Sequence, residues 1–151
     1  IRSDVDFSGV ETPEIYLGYR RLEHVQNTTI KRDDDHIYAA TPTLPKNTFA
    51  FDGAWKIESE RAVTAGTGSK LFLRYKARKV NIVASSPNGH SSFQLKIDGR
   101  PLPQKWFGAD AEKKIDFSRL YELIDTKSYQ EHTLEIIFEK PAVEVYTFTF
   151  G

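Results

Sequence analysis

The sequence predicts an all-β protein, a jelly-roll β-sandwich of about eight to ten short strands, with an immunoglobulin-like sandwich as the second choice. Three observations carry that prediction. Between Ser69 and Gly99, apolar residues recur at every second position, the period of a strand with one buried and one wet face. Turn formers punctuate the chain roughly every 8–12 residues, the spacing of a sandwich or barrel. Aromatics make up 13% of the chain and are mostly Phe and Tyr, residues that favour strands, and no crossover helices are visible.

The 151 residues suffice for one domain with a substantial core. Lys and Arg number 21 against 21 Asp and Glu, interspersed, so no basic face points to nucleic acid or an anionic membrane. With no cysteine there is no disulfide, thiol nucleophile or thiolate metal site. There is no apolar run of membrane-spanning length and no signal peptide, so direct membrane insertion is not expected. The chain begins at Ile1 and contains no methionine, which suggests a piece of a longer protein with any targeting signal upstream.

Ile1 to Glu11 is polar and reads as a linker or loosely held arm, leaving residues 12–151 as one sandwich domain. Thr12-Pro13-Glu14 resembles a helix start. The Ile15–Tyr19 stretch that follows is too short and aromatic for more than one turn, or else forms an extended segment over the core. His24 to His36 reads as a polar loop, and Thr41–Pro45 as irregular by its prolines. Phe49–Gly53 and Ala54–Glu58 are two short strands, or one strand bulged at Gly53. Ala62–Thr64 is another strand. Leu71, Leu73, Tyr75 and Ala77 then share one face, a tight turn is expected at Ala77-Arg78-Lys79, and Val80, Ile82 and Ala84 resume the alternation. Pro87–His90 is a turn, and Phe93, Leu95 and Ile97 alternate up to the Asp98-Gly99 turn. Gln104–Phe107 is expected to be an edge strand and Gly108–Lys114 an exposed loop. Ser118–Asp125 is a strand or a helical turn, with the strand preferred. Leu134, Ile136 and Phe138 alternate again. Val143–Phe150 closes the chain, with Tyr146, Phe148 and Phe150 on one face. Ile82, Leu95, Ile136 and Phe148 are expected between the two layers.

No catalytic constellation is present. The four histidines lack metal spacing, and no nucleophile elbow, P-loop or dinucleotide fingerprint occurs. Neither an enzyme nor a bound cofactor is expected. Asp33-Asp34-Asp35 is either a calcium-binding cluster or a solvated acidic loop. Trp55 shares the parity of Ile57 and belongs in the core. Trp106 lies between turn-rich segments, as a platform for stacking on a sugar ring or as an edge anchor. Arg74 and Lys76, with Lys96, lie on the outward face, either solvated or donating to a glycan's hydroxyls or carboxylate. Asn88 and His90 sit at a loop tip and would contact a ligand if the loops of that end converge.

Several segments together resemble one family: TPEIYLGYRR at Thr12–Arg21, FAFDGAWKIESERA at Phe49–Ala62, LFLRYKARKVNIV at Leu71–Val83, KIDGRPL at Lys96–Leu102, RLYELI at Arg119–Ile124 and HTLEIIFEKPAVEVYTFTFG at His132–Gly151. They resemble the C-terminal, carbohydrate-binding-module-like (galactose-binding-like) domain of DipZ-type proteins, which follows a thioredoxin-like domain. The resemblance implies an extracytoplasmic jelly-roll module in the periplasm or cell envelope, attached to a thiol–disulfide oxidoreductase. This chain has no Cys-x-x-Cys, so the redox activity of such relatives is not carried over. The resemblance names no sugar-contacting residue either, and fold alone does not fix function. The expectation is a non-catalytic accessory module that binds a saccharide. The rival is a protein-interaction or dimerisation module that docks on the companion redox domain or another protein.

Overall fold

A computed structural model of the protein describes residues 9–151, so residues 1–8 of the linker expected over Ile1–Glu11 lie outside the described residues. Among the described residues, nine strands form a β-sandwich: β1 (Ile15–Tyr16), β2 (Asp35–Tyr38), β3 (Thr48–Ile57), β4 (Ala62–Thr64), β5 (Ser69–Ser85), β6 (Phe93–Ile97), β7 (Arg100–Pro101), β8 (Arg119–Phe138) and β9 (Glu144–Phe150).

The spine is β5, and its sequence explains the architecture. Leu71, Leu73, Tyr75 and Ala77 are buried at odd positions, and Val80, Ile82 and Ala84 at even ones. A regular strand cannot bury both sets on one side. The tight turn expected at Ala77–Lys79 is absent: the strand runs on, and the parity change is absorbed in a β-bulge. The pairing with β8 jumps from Ala77↔Gln130 to Lys79↔Asp125. The Gly151 carbonyl accepts both the Arg78 N–H at 2.9 Å and the Lys79 N–H at 3.0 Å. Bulges bend strands and increase twist. The first half of β5 accordingly pairs with β3 and the second half with β9, while β8 flanks both halves. Because β3 pairs with β4 and β4 with β9, the ladder β5–β3–β4–β9–β5 closes on itself around a single core.

Aromatics fill that core. Phe49 meets Phe51 edge-on at 5.1 Å, and Trp55 meets Phe138 at 5.7 Å. Trp55 is wholly buried, as its parity predicts, and its Nε1–H donates to the carbonyls of Asp52 and Lys70. Ile82, Ile136 and Phe148 are buried as expected, whereas Leu95 on the outer strand β6 is only half-buried. β3 is one strand, bent at Gly53, whose φ of 81° suits glycine.

Other segments differ from expectation for identifiable reasons. Thr12 caps no helix: its hydroxyl accepts the Lys76 N–H at 2.8 Å and donates to Asn47 Oδ1 at 2.7 Å, so 12–16 is extended along the sheet. The polar run His24–His36 ends in strand β2, which pairs with β3 as an edge, with Asp35 and Ile37 exposed and Tyr38 buried. Gln104–Trp106 is a 3₁₀ turn rather than an edge strand. Pro103 sets its entry, and the Trp106 and Phe107 N–H groups donate back to the Pro103 and Gln104 carbonyls. Within the loop 108–114, Asp110 is buried and accepts from Arg119 at 3.0 Å and from the Glu122 N–H at 2.8 Å.

Candidate functional site

The structure separates the residues that the sequence singles out. Arg74 and Lys76 do lie on the outer face of β5, but they are not free donors. Arg74 Nε bonds Glu131 at 2.8 Å and its Nη1 bonds Thr133 at 3.1 Å, while Lys76 pairs with Glu11 at 3.2 Å. Trp106 is half-buried against the core, with its ring 5.3 Å from the His132 ring and Lys105 Nζ beside it. Asn88 is exposed at the loop tip. Of the five, only His90 lines the groove at the ends of β5 and β9. Among the described residues, no three acidic or histidine side chains are grouped as a metal site, and Asp33 accepts the Tyr19 hydroxyl at 2.9 Å.

The groove, of about 590 Å³, is walled by the ends of β5 and β9 and the loops 86–90 and 116–118. Its lining includes the side chains of Ser85, His90, Asp116, Phe117, Glu144 and Tyr146. Tyr121 builds one wall from below. Its buried hydroxyl accepts the Asp116 N–H and shares its one proton between Asp116 Oδ1 and the Phe117 carbonyl, all within 2.9 Å. With the backbone pinned, the Phe117 ring is left 67% exposed, high for so large an apolar side chain. The Tyr121 hydroxyl beside Asp116 holds that carboxyl below the usual carboxylate range, so it faces His90 as an anion.

A second bulge builds the other wall. Val83 pairs with Thr147 but Ala84 with Val145, which leaves Tyr146 as the extra residue of β9. Tyr146 therefore does not share a face with Phe148 and Phe150 as its parity suggests. It turns outward with Glu144, to which its hydroxyl donates at 3.3 Å, while Arg61 Nη1 donates to Tyr146 at 3.4 Å. Glu144 Oε1 also accepts the Ser85 hydroxyl at 2.8 Å. The result is a flat apolar ring beside carboxylates, hydroxyls and an imidazole, a combination that suits a ligand with both apolar faces and hydroxyl groups.

A separate polar cluster surrounds His132. Its Nδ1 lies 2.6 Å from Asp98 Oδ2, but Nε2, the atom that would serve a nucleophile, is held by Gln130 Oε1 at 2.7 Å.

Fold and groove together define a β-sandwich module. Its fold is shared with family two carbohydrate esterases. One from Clostridium thermocellum, solved in complex with cellohexaose, superposes with a TM-score of 0.50 at 22% identity, over 61% of this chain and 27% of the esterase chain. One from Cellvibrio japonicus superposes with a TM-score of 0.57 at 21% identity, over 78% of this chain and 33% of its own. Residues 12–151 match the family described as "Thioredoxin like C-terminal domain", and the chain belongs to that family. Protein DipZ of Mycobacterium bovis and Protein DipZ of Mycobacterium tuberculosis are each 24% identical over 140 residues, 93% of this chain. The chain spans 18% of the length of these relatives. Among the described residues, no helix is long and apolar enough to cross a membrane.

Proposed function

We propose that residues 12–151 form a non-catalytic accessory module that binds a saccharide in the groove beside Phe117. By doing so outside the cytoplasm, it would keep a companion thioredoxin-like redox domain at high effective concentration near saccharide-bearing substrates. The observation that carries this reading is the exposed Phe117 ring, which lines one groove with His90, Asp116, Glu144 and Tyr146. A ring of that kind stacks on the apolar face of a pyranose while the polar groups bond its hydroxyls. The match to a thioredoxin-like C-terminal domain family supports the accessory role, and the cellohexaose complex of an esterase with this fold supports the ligand class. In this reading His90, which lines the groove, would contact the ligand, and Asn88 is exposed in the same loop. Arg74, Lys76 and Trp106 do not line this groove, and the reading gives them no ligand contact.

A glycan-array screen of this chain, followed by calorimetric titration of the best binder, tests the proposal. At least one saccharide should bind, with affinity reduced by Phe117→Ala. A chain that binds no saccharide on the array overturns it. A second reading rests on Phe117 together with Leu120, which is 42% exposed three residues on: the patch docks on the companion redox domain. Phe117-dependent binding to that domain, with no saccharide bound, would favour this second reading.

A further inference from the structure

A smaller compartment of about 140 Å³ adjoins the groove and shares Tyr146 with it; Tyr16, Arg20, Arg21, Ser59 and Glu60 form the rest of its lining with Gly18 and Thr147. The two compartments differ in charge. Asp116 and Glu144 line the groove, Glu144 paired with Arg61 at 3.4 Å, whereas two arginines stand in the smaller space. Arg20 is neutralised by Glu60 at 2.9 Å. Arg21 has no carboxylate partner among the described residues, and its guanidinium lies over the Tyr16 ring, 3.7 Å from the centroid. Stacking fixes the plane of a guanidinium while leaving its N–H edge open to a carboxylate. The segment that carries it is rigidly seated: the Tyr19 and Arg20 N–H groups donate to the Glu58 and Ser59 carbonyls, and Gly18 lies so close to the Glu60 backbone that a side chain there would collide with it.

Building on the saccharide reading, we infer that the ligand is an oligosaccharide bearing a carboxylate. A neutral ring occupies the groove at Phe117, and the carboxylate of a neighbouring unit reaches Arg21 past Tyr146. The Asp116 carboxylate disfavours an acid in the groove, and Arg21 favours one next door, so the pair of compartments reads polarity along the chain.

The test compares oligosaccharides of mixed neutral and uronic acid units with their carboxyl-reduced counterparts by titration calorimetry. The uronate form should bind about tenfold more tightly at low salt, an advantage that falls as sodium chloride is raised. Arg21→Gln should abolish the advantage while leaving affinity for the reduced form unchanged, and Arg21→Lys should restore part of it. Equal affinity for the two forms, or equal losses with both in Arg21→Gln, overturns the inference but leaves the saccharide reading standing. Absence of binding to every saccharide overturns both. Thermal unfolding of each variant checks that the Tyr16 platform survives.

Discussion

Asp98 and His132 are joined at 2.6 Å, Oδ2 to Nδ1, across the turn that connects β6 to β7. Asp98 Oδ1 accepts the Thr133 N–H at 2.9 Å, so one side chain ties the turn to β8 twice. Burial pushes its carboxyl up, but the Thr133 N–H and the His132 ring outweigh burial and hold it below the ordinary value of 3.8.

A carboxyl depressed in the folded state binds its proton more tightly in the unfolded chain. Its contribution to stability is therefore present above about pH 4 and is lost as the pH falls through the lower folded value. Asp98 has a φ of 52°, which asparagine also tolerates, so Asp98→Asn removes the charge while keeping the turn. The side chain is half exposed, and the expected cost at pH 7 is about 1 kcal/mol. Urea midpoints at pH 7 and pH 3 check this: the gap between wild type and variant should narrow at pH 3. A gap that widens on acidification would reverse the assigned direction.

Phe148 carries a larger share of the stability. It is wholly buried on β9, where it faces Phe49 at 6.3 Å and Phe150 at 6.5 Å, and it pairs with Ile82. Phe148→Ala should cost about 3–5 kcal/mol. An unchanged denaturant midpoint would mean that the ring does not fill the space between β3 and β5.

Much of this was legible because alternation is a local property. Leu71–Ala77, Leu134–Phe138 and the partnership of Trp55 with Ile57 could be read without knowing any neighbouring strand. The bulges could not. The sequence shows a parity change after Ala77, but a turn and a bulge produce the same local pattern. What decides between them is the Gly151 carbonyl, more than seventy residues away, which meets the N–H groups of Arg78 and Lys79. The same gap hid the site. Tyr146 reads as a core residue by its spacing from Phe148, and only the pairing of β9 with β5 makes it the extra residue that turns outward. His90 was legible as a loop-tip residue. Phe117 was not, although an aromatic between Asp116 and Ser118 at the edge of a turn is a signal that could have found it.

The last prediction separates two aromatics that sequence alone cannot tell apart. Trp106 sits on a 3₁₀ turn, half-buried, against His132 and the core. Truncation there removes packing, so Trp106→Ala should lower the unfolding free energy by about 2–4 kcal/mol given partial burial, and leave saccharide affinity within twofold. Phe117 has the opposite setting: its backbone is fixed by Tyr121 while its ring contacts solvent. Phe117→Ala should leave stability within about 0.5 kcal/mol and weaken saccharide binding by about 1–3 kcal/mol, the usual size for an aromatic at the centre of a contact. Urea unfolding and titration with the same saccharide on both variants give four numbers. Loss of affinity in Trp106→Ala with unchanged stability would move the site to the β8 side of the sandwich, where Lys105 and Gln104 would supply its hydrogen bonds. Unchanged affinity in Phe117→Ala, for a saccharide that the wild type binds, would remove the groove from the site altogether.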